Sequence, residues 1–196
     1  IASFYPGAMA HAGKLSFKTL AGDRPDLVVI SPNDPGAMQQ YARECRELGI
    51  PYLYDPSQQT ARFDGAQLLD GIEGAFALFV NDYEFGMIEK KTGVGLDELL
   101  EKVSLMVITR GESGSTIYAG GQQYPIEVVP PEKIVDPTGV GDAFRGGFLA
   151  GYSRGLDWQT CGRIGAVAAA YCLEQKGTQA HRYTREGFVA RYRQHF

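Results

Sequence analysis

The sequence runs to 196 residues with 44% hydrophobic content and a formal net charge of -4, enough chain for one sizeable core and the wrong sign for a default nucleic-acid binder, whose signature is a basic footprint. The longest apolar runs, Ala75 to Val80 and Ala166 to Ala170, fall far short of a membrane span, and no signal-peptide pattern opens the chain. Cys45, Cys161 and Cys172 lack metal-type spacing and make an odd count, which fits a reducing, cytoplasmic setting, while His11, His181 and His195 are too scattered for a metal site or a triad.

In chain order, Asp26 to Ile30 is a β-branched apolar run of the kind found in a strand buried on both faces. After the turn Ser31-Pro32-Asn33, Asp34 as N-cap and Pro35 at the first helical position open a helix through Met38, Tyr41, Ala42 and Cys45 that stops at Gly49. Pro51 to Tyr54 reads as a strand closed by Asp55-Pro56-Ser57. A helix around Ala66 to Ile72 leads to a third apolar run, Ala75 to Val80, ending at Asn81. Helices over Asp82 to Lys91 and Leu96 to Lys102 precede the strand Leu105 to Thr109. Strands alternating with helices imply crossovers and a mainly parallel sheet. Ser115 to Ala119 and Gln122 to Val128 alternate around Gly120-Gly121, predicting a hairpin at the sheet edge. Trp158 to Glu174 predicts a long Ala-rich helix with Asp157 as N-cap and Gly177 as its stop, and Thr184 to His195 a closing helix. Gly147, Gly151 and Gly155 form a row that predicts close helix packing.

Between the hairpin and the long helix lies Asp136-Pro137-Thr138-Gly139-Val140-Gly141-Asp142, with an apolar run of helical spacing from Ala143 through Phe144, Phe148 and Leu149. Two glycines flanking Val140 let successive N–H groups point into one concavity at a helix N-terminus, a place that binds anions. Asp142 reads either as an ordinary helix cap or as an acid beside bound phosphate that takes a proton from an attacking hydroxyl. The residues after each strand, Ser31 to Asn33, Asp55 to Gln58, Asn81 to Glu84 and Thr109 to Glu112, are polar, as expected where ligands gather at the carboxyl ends of an open α/β sheet.

These segments together resemble the PfkB (ribokinase-like) family of carbohydrate and nucleoside kinases. Asp136 to Asp142 with Ala143-Phe144 is similar to its D-T-x-G-A-G-D-x-F signature, with Pro137 in place of Thr and Val140 in place of Ala. Asn81 to Glu84 is similar to its N-x-x-E motif, and Thr109 to Gly114 to its T-x-G-x-x-G segment; Gly177-Thr178 follows the late helix as in the family. Asp55-Pro56-Ser57-Gln58-Gln59 looks most like bacterial adenosine-kinase-like members. The resemblance implies a three-layer α/β/α fold with a mainly parallel sheet. It also implies ATP-dependent phosphorylation of a primary hydroxyl on a nucleoside of adenosine type, with a free-sugar kinase of ribose or fructose type, or a nucleotide-binding module without transferase activity, as alternatives. On this reading Asp142 is the base; the amides of Gly139, Val140 and Gly141 form the anion hole. Thr109, Gly111, Gly114, Asn81 and Gly177 serve the nucleotide; Glu84, with Asn81, acts through water on Mg²⁺, and Asp136 with nearby carbonyls binds a monovalent cation such as K⁺. The chain opens without Met, and the family's N-terminal strands, acceptor contacts and lid have no counterpart here. The expectation is therefore that residues 1–196 are the catalytic and nucleotide-binding part of a single ribokinase-like domain, with Ile1 to Gly7 continuing from the lid's return strand and homodimerisation running through that lid.

Overall fold

The computed structural model describes residues 5–20 and 22–196. Its strands, β1 (Val28–Ile30), β2 (Tyr52–Tyr54), β3 (Ala77–Asn81), β4 (Leu105–Thr109), β5 (Ser115–Ala119) and β6 (Gln122–Ile126), follow chain order across the sheet. Two compact units divide between Val107 and Ile108, inside β4.

In the first unit β1, β2 and β3 run parallel, with Val28 opposite Tyr52 and Leu53 opposite Ala77. Parallel neighbours need crossovers, which α1 (Pro35–Leu48) and α2 (Gly65–Ile72) provide. The α1 boundaries follow from the predicted caps: the Asp34 carboxylate accepts the Ala37 N–H at 3.0 Å, and Gly49 closes the helix at φ +58. For α2 the start moves to Gly65, because Asp64 and Gln67 form a reciprocal capping box. Every residue of β2, and of β3 before Asn81, is buried, the pattern of strands covered on both faces. Met38, Leu53, Leu68, Ile72, Leu78, Ile88 and Leu99 are fully buried around them, each contributing roughly 1.5–3 kcal/mol. The last two belong to α3 (Asp82–Thr92) and α4 (Leu96–Lys102).

The segment Ile1 to Gly7, expected to continue from a lid's return strand, lies mostly outside the described residues. From Gly7 the chain forms a pair of 3₁₀ turns, Gly7–Lys14 and Phe17–Thr19, which carry no strong sequence signal. They are tied to α1 by the buried Glu44, which accepts the Ser16 hydroxyl at 2.8 Å and the Phe17 N–H at 2.7 Å.

In the second unit β5 and β6 form the predicted hairpin, with Ala119 opposite Gln122 and both Gly120 and Gly121 at positive φ, as a two-residue turn of this type requires. β6 is shorter than predicted and stops at Ile126; it carries Pro125, which an edge strand tolerates. α5 (Val140–Tyr152) and α6 (Trp158–Leu173) pack along each other, and α7 (Arg185–His195) lies on α6. A Cβ on Gly147 would fall 2.8 Å from the Ile164 carbonyl oxygen, and one on Gly151 would fall 3.1 Å from Cys161 Sγ, so these two glycines set the α5–α6 approach. Gly155 does not join them: it lies past the helix end with open space around it. Among the described residues no helix is long and apolar enough to cross a membrane.

Candidate active site

α5 starts at Val140, three residues before the apolar run that announced it, so Val140, Gly141 and Asp142 are its first turn. The N-cap is Gly139, in the left-handed region at φ +84. A Cβ there would stand 2.9 Å from Thr178 Cβ and 3.1 Å from Thr178 Cα, so the loop before α5 and the loop after α6 meet almost backbone to backbone. Asp136 braces the same junction: one carboxylate oxygen accepts the Thr138 N–H and the other the Gly177 N–H, both at 2.9 Å. Thr138, through hydroxyl and amide, and the Gly177 amide hold Asp136 below the usual carboxylate range. The Val135 and Asp136 amides both donate to Leu173 O at the end of α6. Cys172 Sγ faces the carbonyl oxygens of Thr138 and Thr178 at 3.8 and 4.0 Å.

Gly139→Ala is expected to lose roughly 1–2 kcal/mol from the left-handed backbone alone, with more from the Thr178 clash. The measurements are a denaturant midpoint and binding of ADP, both of which should fall together because the same loop shapes the amide cradle.

The Val140 N–H, expected in the anion hole, instead turns back onto Pro137 O at 3.3 Å, and the first full helical bond is Ala143 N–H to Gly139 O at 2.9 Å. The amides of Gly139, Gly141 and Asp142 have no acceptor among the described residues. They are orphan donors at the positive end of a thirteen-residue helix. Asp142 caps nothing: its Oδ1 instead receives Arg145 Nη2 at 2.5 Å, and its side chain is 66% exposed. The cap reading of Asp142 is thereby removed.

Of the other predicted residues in this unit, Thr109 ends β4 half-buried, Gly111 opens a short 3₁₀ turn at φ +53, and Gly114 closes it at φ +78. A Cβ on Gly114 would fall 2.2 Å from the Ile126 carbonyl oxygen, so Gly114 lets this loop lie against the end of β6. The Arg110 N–H to Gly114 O bond at 2.7 Å shuts the loop.

In the first unit Asn81 and Glu84 form a second capping box at the start of α3. Asn81 Oδ1 accepts the Glu84 N–H and Glu84 Oε2 accepts the Asn81 N–H, each at 2.8 Å. Burial pushes the Glu84 carboxyl up, against the Asn81 amide and the Ser57 hydroxyl that pull it down. Ser57, from the Asp55-Pro56-Ser57 turn, sits at φ +42 without being glycine, a strained backbone of the sort that marks functional loops.

Sequence reasoning missed Arg145 and Thr178 as parts of this geometry. Arg145 was detectable as an i, i+3 partner of Asp142; Thr178 was not, because its contact with Gly139 spans the whole of α5 and α6.

The pfkB family carbohydrate kinase profile matches residues 8–185. The chain is 33% identical over 170 residues to the nucleoside kinase of Methanocaldococcus jannaschii, covering 87% of this chain and 56% of that protein. Its fold superimposes on Burkholderia thailandensis nucleoside kinase in complex with inosine with a TM-score of 0.95 and 37% identity, over 100% of this chain and 64% of that one. The same protein in complex with ADP-inosine matches with a TM-score of 0.94 at 37% identity, over 100% of this chain and 61% of that one. The chain therefore spans between half and two thirds of the length of these relatives and shares their ribokinase-like fold. It belongs to the pfkB family of carbohydrate kinases.

Proposed function

We propose that the protein is an ATP-dependent kinase that moves the γ-phosphoryl group to a primary hydroxyl of a nucleoside. One observation carries this reading: the first turn of α5 offers amides with no acceptor among the described residues and, from the same turn, a carboxylate whose Oδ2 receives no donor among them. The nucleoside as acceptor rests on the relatives, one of which binds inosine. Three buried free thiols suit the cytoplasm as its compartment.

In this mechanism Asp142 takes the hydroxyl proton as the oxygen attacks phosphorus, and the Gly139, Gly141 and Asp142 amides hold charge on the transferring group. Such donors are already aimed before the reaction, and losing one costs about 3 kcal/mol of transition-state stabilisation. Thr109, Gly111 and Gly114 line the nucleotide. Asp136 keeps the Thr138 and Gly177 amides in place, and a K⁺ ion would be held by its carboxylate together with carbonyls beside it. Within the first unit Mg²⁺ suits Glu84, a half-buried single carboxylate that can reach the ion through water while Asn81 fixes its orientation.

The test is ADP release from ATP and Mg²⁺ in the presence of inosine, adenosine, cytidine, ribose or fructose. Turnover with a nucleoside is the expected result. Turnover with the sugars alone would replace the acceptor class, and ATP binding without turnover on any acceptor would favour a nucleotide-binding module.

A further inference from the structure

An anion cradle with a carboxylate in its first turn has an electrostatic problem. The helix end attracts polyphosphate, while the 66% exposed Asp142 side chain beside the same amides repels it. One turn further on stands Arg145, whose side chain is only 11% exposed and whose Nη2 lies 2.5 Å from Asp142 Oδ1. A guanidinium stays charged, and when sheltered it is fixed in place, so its charge-assisted bond sets the direction of the carboxylate it meets. The bond takes Oδ1. Oδ2 receives no donor among the described residues and remains for the acceptor's proton.

Resting on the kinase reading above, we propose that Arg145 is the positioning residue of the transfer site. It neutralises Asp142 toward the incoming polyphosphate and turns Oδ2 toward the acceptor hydroxyl. Arg145 does this through Asp142 and makes no contact with phosphate itself. That distinction is open to direct measurement.

A double-mutant cycle on the full chain, measured as calorimetric affinity for adenylyl imidodiphosphate with Mg²⁺, separates the possibilities. Arg145→Gln is expected to weaken binding about fivefold, the scale of an ion pair with one exposed partner. In the Asp142→Asn background the same substitution should change binding little, because no carboxylate is left to neutralise. Asp142→Asn alone should bind the analogue at least as tightly as the parent, a prediction that needs no Arg145 variant to fold. Arg145→Lys keeps the charge and should hold affinity closer to the parent than Arg145→Gln does, while lowering kcat. Equal losses from Arg145→Gln in both backgrounds would assign Arg145 to the phosphates directly and overturn the proposal. So would a loss of melting temperature with no change in affinity, or weaker binding by Asp142→Asn alone. If the parent chain binds no nucleotide, the kinase reading falls as well; if it binds and the cycle shows no coupling, only the role of Arg145 falls.

Discussion

Asp142→Asn is expected to cut turnover by about 10²–10⁴, the contribution of a positioned general base, while nucleotide binding is retained. The expectation rests on this side chain holding no backbone group in place among the described residues. It caps no amide, so the 0.5–2 kcal/mol that a lost N-cap typically costs is not at stake. Its side chain is largely exposed and its bond is to Arg145, one turn away. Asparagine keeps the size, leaves the backbone amides of the first turn where they are, and removes the negative charge together with the capacity to accept a proton. The chemical step should therefore collapse in an ADP-release assay, with the melting temperature and the analogue affinity close to those of the parent. Residual turnover above a tenth of the parent rate would remove Asp142 as the base and leave the amides of α5 as the main source of rate enhancement.

Much of the scaffold was readable from local chemistry. Asp34 and Asp157 cap the helices they were expected to cap, while Asn81 and Thr184, read as a strand end and a first helical residue, also prove to be caps. The start of α5 was not readable in the same way. Apolar periodicity begins at Ala143, but the helix begins at Val140, because its first turn holds no buried residue: Val140 is half-buried and Gly141 and Asp142 are exposed. The same holds for Asp142, whose residue type and position fit a cap equally well; only the Arg145 bond separates the two. Glu84 shows the converse. Its first-turn position satisfies a capping box completely, yet its burial, which pushes the carboxyl up, is more than a cap requires. Contacts across long separations, such as Gly139 on Thr178 and Asp136 on Gly177, have no signature in a single sequence because they depend on how α5 and α6 pack.

The largest loss of stability in the second unit is expected from Arg191→Ala. Arg191 meets Glu174 with two nitrogens, at 2.5 and 3.0 Å, and both side chains are about nine-tenths buried. Glu174 Oε1 also accepts the Glu132 N–H at 2.7 Å, Arg191 Nη2 donates to Pro130 O at 3.0 Å, and the guanidinium lies 4.6 Å from the Tyr171 ring centre. The pair thus fixes the segment that leads into Asp136. Removing the arginine strands a buried carboxylate, which costs about 3–5 kcal/mol, a large fraction of the 5–15 kcal/mol that holds a typical domain. Burial alone would raise the Glu174 carboxyl; the Arg191 bonds and the Glu132 amide outweigh it and leave it below its ordinary value. A depressed carboxyl contributes stability above its unfolded pKa of ~4.3 and loses it as pH falls through the lower folded value. The difference in unfolding free energy between parent and Arg191→Ala, measured by denaturant titration, should therefore be full near neutrality and shrink below that range. A difference that stayed constant into acid would show that Arg191 stabilises the fold through its Tyr171 and Pro130 contacts rather than through the charge on Glu174. Because Glu132 and Pro130 stand only a few residues before Asp136, the same variant should also weaken nucleotide binding at pH 7, while Glu174→Gln, which keeps the shape and one acceptor oxygen, should weaken both properties less.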